Sequence, residues 1–221
     1  MLIPIGDVAP RRSFPWINLL LILANVGIFA WLVLTRGAGY EQVVQAHGLV
    51  PEKRRLLSFA TSMFLHAGIA HLLGNMLFLW IAGDNVEDRF GGFPYLVFYL
   101  ACGLAAGAAH LATAGGAERA MPCVGASGAV SGVLGAYLVL FPASRIKMLF
   151  WFVIPLFTFR VPTWAAIPAW LVLQGLMAWN QMHGASTQVA VWAHLGGFAF
   201  GFGCAVLLRM FGRDRRRRPG F

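Results

Sequence analysis

Residues 124–136 read Val124-Gly125-Ala126-Ser127-Gly128-Ala129-Val130-Ser131-Gly132-Val133-Leu134-Gly135-Ala136, and they open an apolar run that continues to Phe141. The run has the length of a membrane segment and begins with a hydroxyl at a helix N-terminus. There the first turn offers unpaired N–H groups and the positive end of the dipole, which can hold an oxyanion formed when a hydroxyl attacks a carbonyl. Ser127 is therefore a candidate nucleophile. Gly128, Gly132 and Ala136 also recur every four residues, the small-residue spacing that lets membrane helices approach closely. Taken alone, the stretch reads as packing or as catalysis, and the choice depends on the rest of the chain.

Of the 221 residues 59% are hydrophobic and 11% charged, and the mean hydropathy is +0.70. A soluble domain cannot hide so much apolar surface, so the composition specifies an all-α polytopic membrane protein. The net charge of +9 lies between apolar runs and in one tail, which fits membrane orientation and excludes a nucleic-acid partner. Cys102, Cys123 and Cys204 match no metal motif or disulfide framework. Arg11-Arg12 precede an apolar segment with no small-residue cleavage site behind it, so that segment is read as a retained first span.

Six spans are expected, at residues 16–34, 64–83, 95–114, 124–141, 164–179 and 189–210. A lead over residues 1–15 and a basic tail over 211–221 flank the membrane domain at 16–210. Residues 35–63 form a long polar loop, residues 84–89 a charged turn closed by Gly91, Gly92 and Pro94. The apolar run 148–159 would cover only about 18 Å as a helix, against a hydrocarbon core of about 30 Å, so a re-entrant or interfacial segment is expected between spans 4 and 5. With both termini inside, twelve of the 17 Lys and Arg fall on the inner side, as the positive-inside rule requires. No transit peptide is evident, so the expected location is a prokaryotic plasma membrane with cytoplasmic termini.

This topology makes spans 2, 4 and 6 run inward from the outer face. Their N-terminal turns carry His71 and Asn75, Ser127, and His194, all within roughly 5 to 15 Å of the outer boundary. Singly, such residues are interhelical glue as readily as a site. Together they form one polar layer, and His71 and Asn75, four residues apart, share a face. His66 is expected nearer the surface, and His47, His110 and His183 outside the layer. No His-Glu-x-x-His occurs and no carboxylate lies inside a span, so neither metal nor cofactor is expected. A Ser-His pair remains, with a loop carboxylate such as Glu118 left open as a third member.

Gly125-Ala126-Ser127-Gly128, His71-x-x-x-Asn75, Glu87-x-Arg89 and Ala193-His194-x-x-Gly197-x-x-x-Gly201, in this order on six spans, resemble the rhomboid family of intramembrane serine proteases. The resemblance covers about residues 59–208. It implies a six-transmembrane-helix rhomboid-like bundle and a Ser127–His194 dyad in a water-filled cavity open to the outer face. Its partners would be the transmembrane helices of single-span substrate proteins, in contact with lipid; the sequence is silent on oligomeric state. Asn75, His71 and the Ser127 N–H would hold the oxyanion, and Glu87 and Arg89 would be structural. Two departures stand out: residues 35–63 lack the family's Trp-Arg pair, and Ser131 replaces a tyrosine that stacks on the imidazole. The alternative is a non-proteolytic rhomboid-like protein that binds membrane helices without cutting them. A transporter is disfavoured because the polar residues stop in the outer half and line no continuous path.

Overall fold

The computed structural model describes residues 2–53, 55–150, 157–183 and 189–211. Among these, each expected span is a helix: α1 (Trp16–Arg36), α4 (Ile69–Phe78) continuing through a π-helical turn (Leu79–Gly83) into α5 (Asp84–Phe90), α6 (Gly92–Thr113), α7 (Ser127–Leu140), α8 (Thr163–Met182) and α9 (Val191–Phe211). Two short helices, α2 (Tyr40–His47) and α3 (Leu56–Thr61), occupy the expected polar loop. By length and apolarity α1, α6 and α9 can each cross a bilayer alone, and the pair Leu56–Phe64 and Ile69–Phe90, bent by 88°, makes a fourth at most. The chain is an integral membrane protein on this evidence. The other two expected spans miss that measure for visible reasons: α7 has 14 residues, about 21 Å, and α8 carries Pro168 and the polar Gln174, Asn180 and Gln181.

The expectation of an all-α fold is corrected by a three-stranded antiparallel sheet, ordered β1 (Leu2–Asp7), β2 (Arg145–Phe150), β3 (Phe157–Pro162). The run expected to be re-entrant or interfacial supplies the second half of β2 and the first half of β3, with residues 151–156 outside the described set. Its length argument assumed the rise of a helix. The alternation of Arg145, Ile146 and Lys147, with only Ile146 buried, has the period of a strand. The lead over 1–15 supplies β1, paired with β2 in the register Ile3 to Leu149 and Asp7 to Ile146. The basic tail from 212 onward lies outside the described residues.

Helix α7 is the centre of the bundle. Every residue in it except Ser127 and Leu138 is buried, which is how a helix apolar on all sides must be accommodated. Its neighbours approach through glycines. A Cβ on Gly197 would stand 2.0 Å from the Gly128 carbonyl oxygen, and one on Gly201 2.0 Å from that of Gly132. No side chain fits at those crossings.

The charged turn expected at residues 84–89 is also corrected: it is helix α5, and its side chains clamp the start of α1. Glu87, buried, accepts from the Ile17 N–H at 3.1 Å and the Asn18 N–H at 2.7 Å, two donors that a helix N-terminus leaves without intrahelical partners. Asp88 accepts from the Ser13 N–H at 2.9 Å, and Arg11 pairs with Asp84 at 3.1 Å. Asn18 then donates to the Leu79 carbonyl at 3.0 Å, inside the π-helical turn, and accepts from the Tyr95 hydroxyl at 2.8 Å. The Arg89 guanidinium lies 5.3 Å from the centre of the Phe141 ring, at the far end of α7. At that same end Asp7 accepts from the Tyr137 hydroxyl and, at 3.0 Å, from Asn85, which ties the sheet to the bundle.

Two outcomes are expected. Glu87→Ala leaves two N–H groups at the start of α1 without their acceptor and lowers stability by about 1.5–3 kcal/mol, read as a lower Tm of the detergent-solubilised chain. Burial raises the Asp7 carboxyl above its ordinary range, against the pull of its hydrogen bonds and Lys147. A raised carboxyl favours folding below its unfolded pKa and loses that contribution as pH rises through the folded value. The Tm difference between Asp7→Asn and the parent chain is therefore expected to grow in the variant's favour from pH 4 to pH 7; a flat or falling difference contradicts it.

Candidate active site

One cavity of about 470 Å³ is lined by His71 and Asn75 from the first turns of α4, Ser127 from the start of α7, and His194 from the first turn of α9. The structure thus brings together all four residues singled out from the sequence. Ser127 is the first residue of α7, and no side chain among the described residues caps that helix. Its backbone N–H therefore belongs to the unpaired set at a helix start. Val130 N–H, by contrast, already bonds the Ala126 carbonyl at 2.9 Å.

The segment leading into Ser127 is held from both sides. Cys123 and Leu49 exchange backbone hydrogen bonds at 2.9 and 3.0 Å, Glu52 N–H donates to the Arg119 carbonyl at 3.0 Å, and Gly125 N–H donates to the Ser62 carbonyl at 2.9 Å. Leu49 and Val50 are buried beneath it. These contacts anchor the first loop without a Trp-Arg pair. Gly125 has φ +123°, and a Cβ there would stand 2.6 Å from the His71 ring and 3.5 Å from Asn75 Nδ2. Only glycine lets the backbone lie against both side chains in that conformation.

Asn75 Nδ2 is buried and has no hydrogen-bond partner among the described residues. An orphaned donor in a cavity wall is costly unless something arrives to accept from it. His71 packs edge-on against His66, ring centres 5.3 Å apart. His66 is itself fully buried within the protein. Burial pushes the Cys123 thiol up to about 12, so this cavity-lining sulfur stays protonated at neutral pH.

The sequence reading missed two members. His110, in the last turn of α6, lines the cavity although it was expected outside the layer. Gln174 in α8 stands with its Oε1 2.9 Å from His194 Nδ1. Glu118, the carboxylate left open as a third member, instead accepts from Gln181. Ser131 donates to the Ser127 carbonyl at 2.7 Å, an internal bond of α7, so it does not orient His194. His183 lies elsewhere, its Nδ1 2.8 Å from the Trp179 carbonyl oxygen. No group of three His, Cys, Asp or Glu that could hold a metal occurs among the described residues.

Comparison with known proteins gives the following. Residues 53–211 match the Rhomboid domain. The Rhomboid protease GluP of Bacillus subtilis (strain 168) is 33% identical over 142 residues, 61% of this chain and 26% of that protein. RHOMBOID-like protein 1 of Arabidopsis thaliana is 34% identical over 163 residues, 73% of this chain and 37% of that protein. Rhomboid protein 1, mitochondrial, of Saccharomyces cerevisiae is 33% identical over 151 residues, 66% and 40%. The matched stretch spans two fifths or less of the length of each of these relatives.

The meeting of α7 and α9 at glycines sets the site's dimensions. Gly197→Val forces the helices apart beneath Ser127 and is expected to lower stability by about 1–3 kcal/mol through overpacking. Gly203→Ala, on the same helix with nothing within 4 Å of its Cβ position, is the matched control and should leave the Tm unchanged or raise it.

Proposed function

The chain belongs to the rhomboid family, and we propose that it is an intramembrane serine protease cutting single-span membrane proteins near the outer end of their transmembrane helix. The observation that carries this reading is the shared cavity of Ser127, His194, Asn75 and His71. Ser127 Oγ attacks the scissile carbonyl as His194 takes its proton. His194 returns that proton to the leaving amine, and water then hydrolyses the acyl-enzyme with His194 again as base. The Ser127 N–H, Asn75 Nδ2 and His71 stabilise the oxyanion, each donor contributing roughly 3 to 4 kcal/mol in comparable hydrolases. Asn75 suits the task because its Nδ2 has no hydrogen-bond partner among the described residues.

The short α7 starts inside the bilayer and leaves Ser127 below the membrane surface, where a substrate helix end can reach it. Peptide bonds within a helix are shielded by its own hydrogen bonds, so cleavable substrates carry Gly, Pro or small residues near the cut, where unwinding is easy. The proposed topology has six spans, from α1 to α9 with α4–α5 as one, and the cavity faces outward. Both termini are cytoplasmic, by the distribution of Lys and Arg, and the membrane is a prokaryotic plasma membrane. The lead, membrane domain and tail follow the division at residues 15 and 210.

The test is cleavage of a single-span substrate by the purified chain in proteoliposomes, with fluorophosphonate labelling in parallel. Ser127→Ala and His194→Asn are expected to abolish cleavage, and Asn75→Ala to slow it by about 10² to 10³ while labelling persists. Capture of the substrate helix without cleavage or labelling of the parent chain overturns the protease reading in favour of a helix-binding protein.

A further inference from the structure

A serine protease needs its histidine to present a bare nitrogen to the hydroxyl. Neutral imidazole carries one N–H and one lone pair, and the partner of the remote nitrogen decides which is which. In the wrong tautomer the serine faces a second donor and cannot release its proton. Rhomboid-like packing of a tyrosine on the ring is absent here, and Ser131 is committed to the Ser127 carbonyl. What holds the ring comes from α8.

His194 Nδ1 lies 2.9 Å from Gln174 Oε1. With the side-chain oxygen as the facing atom, this bond requires the proton on Nδ1 and leaves Nε2 bare. Gln174 is itself buried, 7% exposed, where an unmatched amide is costly and a matched one is held firmly. One helical turn earlier Trp170 packs beside the same ring, centroids 6.3 Å apart at 34°. Positions four apart share a helix face, so α8 presents a packing surface and an acceptor side by side. The titratable groups facing this imidazole are His71 from α4, with His110 from α6 and Glu118 from the following loop on the same cavity wall. Glu118 is engaged by Gln181.

We infer that Gln174 is the positioning residue of His194, fixing the Nδ1–H tautomer and ring plane through its side-chain oxygen with Trp170 beside the ring. During acylation the Ser127 proton moves to Nε2 while the Nδ1 proton stays in place, bonded to the Gln174 oxygen. The resulting imidazolium carries both N–H bonds, and only the Nε2 proton passes to the leaving amine. Gln174 exchanges no proton. The kinetic consequence rests on the protease reading; the tautomer does not.

The experiment labels the full chain with ¹⁵N-histidine in detergent micelles and assigns His194 by difference from His194→Asn. The parent chain is expected to show the Nδ1–H tautomer, Gln174→Leu a mixture or the Nε2–H form, and Gln174→Glu the Nδ1–H form again. In proteoliposome cleavage of a single-span substrate, Gln174→Leu is expected to lose at least about tenfold in kcat with KM within about twofold, and Gln174→Glu to recover most of it. The glutamate variant should also move the acidic limb of the pH–rate profile upward, since a carboxylate stabilises imidazolium. An Nε2–H tautomer in the parent chain, or a Gln174→Leu variant with unchanged tautomer and kcat, overturns the assignment. A chain that cuts nothing but shows the Nδ1–H tautomer, lost in Gln174→Leu, sinks the protease reading and upholds Gln174 as the residue that sets the ring.

Discussion

The contact between α7 and α9 at Gly128 with Gly197, and Gly132 with Gly201, governs the rest of the molecule. Each crossing brings backbone to within a distance that excludes a single methyl group. In a bilayer the lipid tails compete on equal terms with any apolar side chain, so helices associate where backbones can come close and dispersion contacts are dense. Two such crossings one turn apart fix both separation and register. Because Ser127 and His194 lie beside the first crossing, the register that packs the helices also decides where an alcohol and an imidazole sit relative to one another.

Having been placed by its backbone, α7 is then pinned at its far end. Tyr137 bonds Asp7 of the sheet, and Arg89 lies over Phe141. Asp84, Glu87 and Asp88 hold the chain entering α1, so the polar groups at that end join the sheet, α5 and α1 to the central helix. At the cavity end the polar groups are used differently. Asn75 Nδ2 has no partner among the described residues, and α7 has no side-chain cap. At the far end the polar groups pair across elements, whereas the cavity wall keeps an orphaned amide donor.

Much of this was legible in the sequence, because a membrane makes polar residues conspicuous. Ser127, His71, Asn75 and His194 stood out as the few such groups at one depth, and the small-residue spacing of residues 128–136 announced the close packing. The sheet was not legible, since an apolar run of twelve residues looks alike as strand or short helix, and β1 pairs with β2 across nearly 140 residues of chain. The clamp by Glu87 on α1 was hidden for the same reason: a cap supplied from another helix leaves no local pattern. Gln174 escaped because a glutamine in a Trp-rich helix has no spacing that marks it, and the depth of α8 relative to α9 comes only from tertiary structure.

The remaining question is why a bundle held by apolar contacts should bury a glutamine at all. Helix α8 meets its neighbours along one stripe, with Thr163, Ile167, Gln174 and Ala178 the buried positions, whereas α7 is enclosed on nearly every side. Apolar stripes tolerate sliding, because one methyl serves about as well as the next. A buried amide does not, since displacement by a single turn strands it without a partner, at a cost of about 1–3 kcal/mol. The Gln174–His194 bond therefore specifies the register of α8 in the way that a lone polar residue specifies alignment in a coiled coil. Helix α8, whose buried apolar positions are Ile167 and Ala178, is thereby locked at the site itself, and the same bond that settles where α8 stands settles which imidazole nitrogen is free.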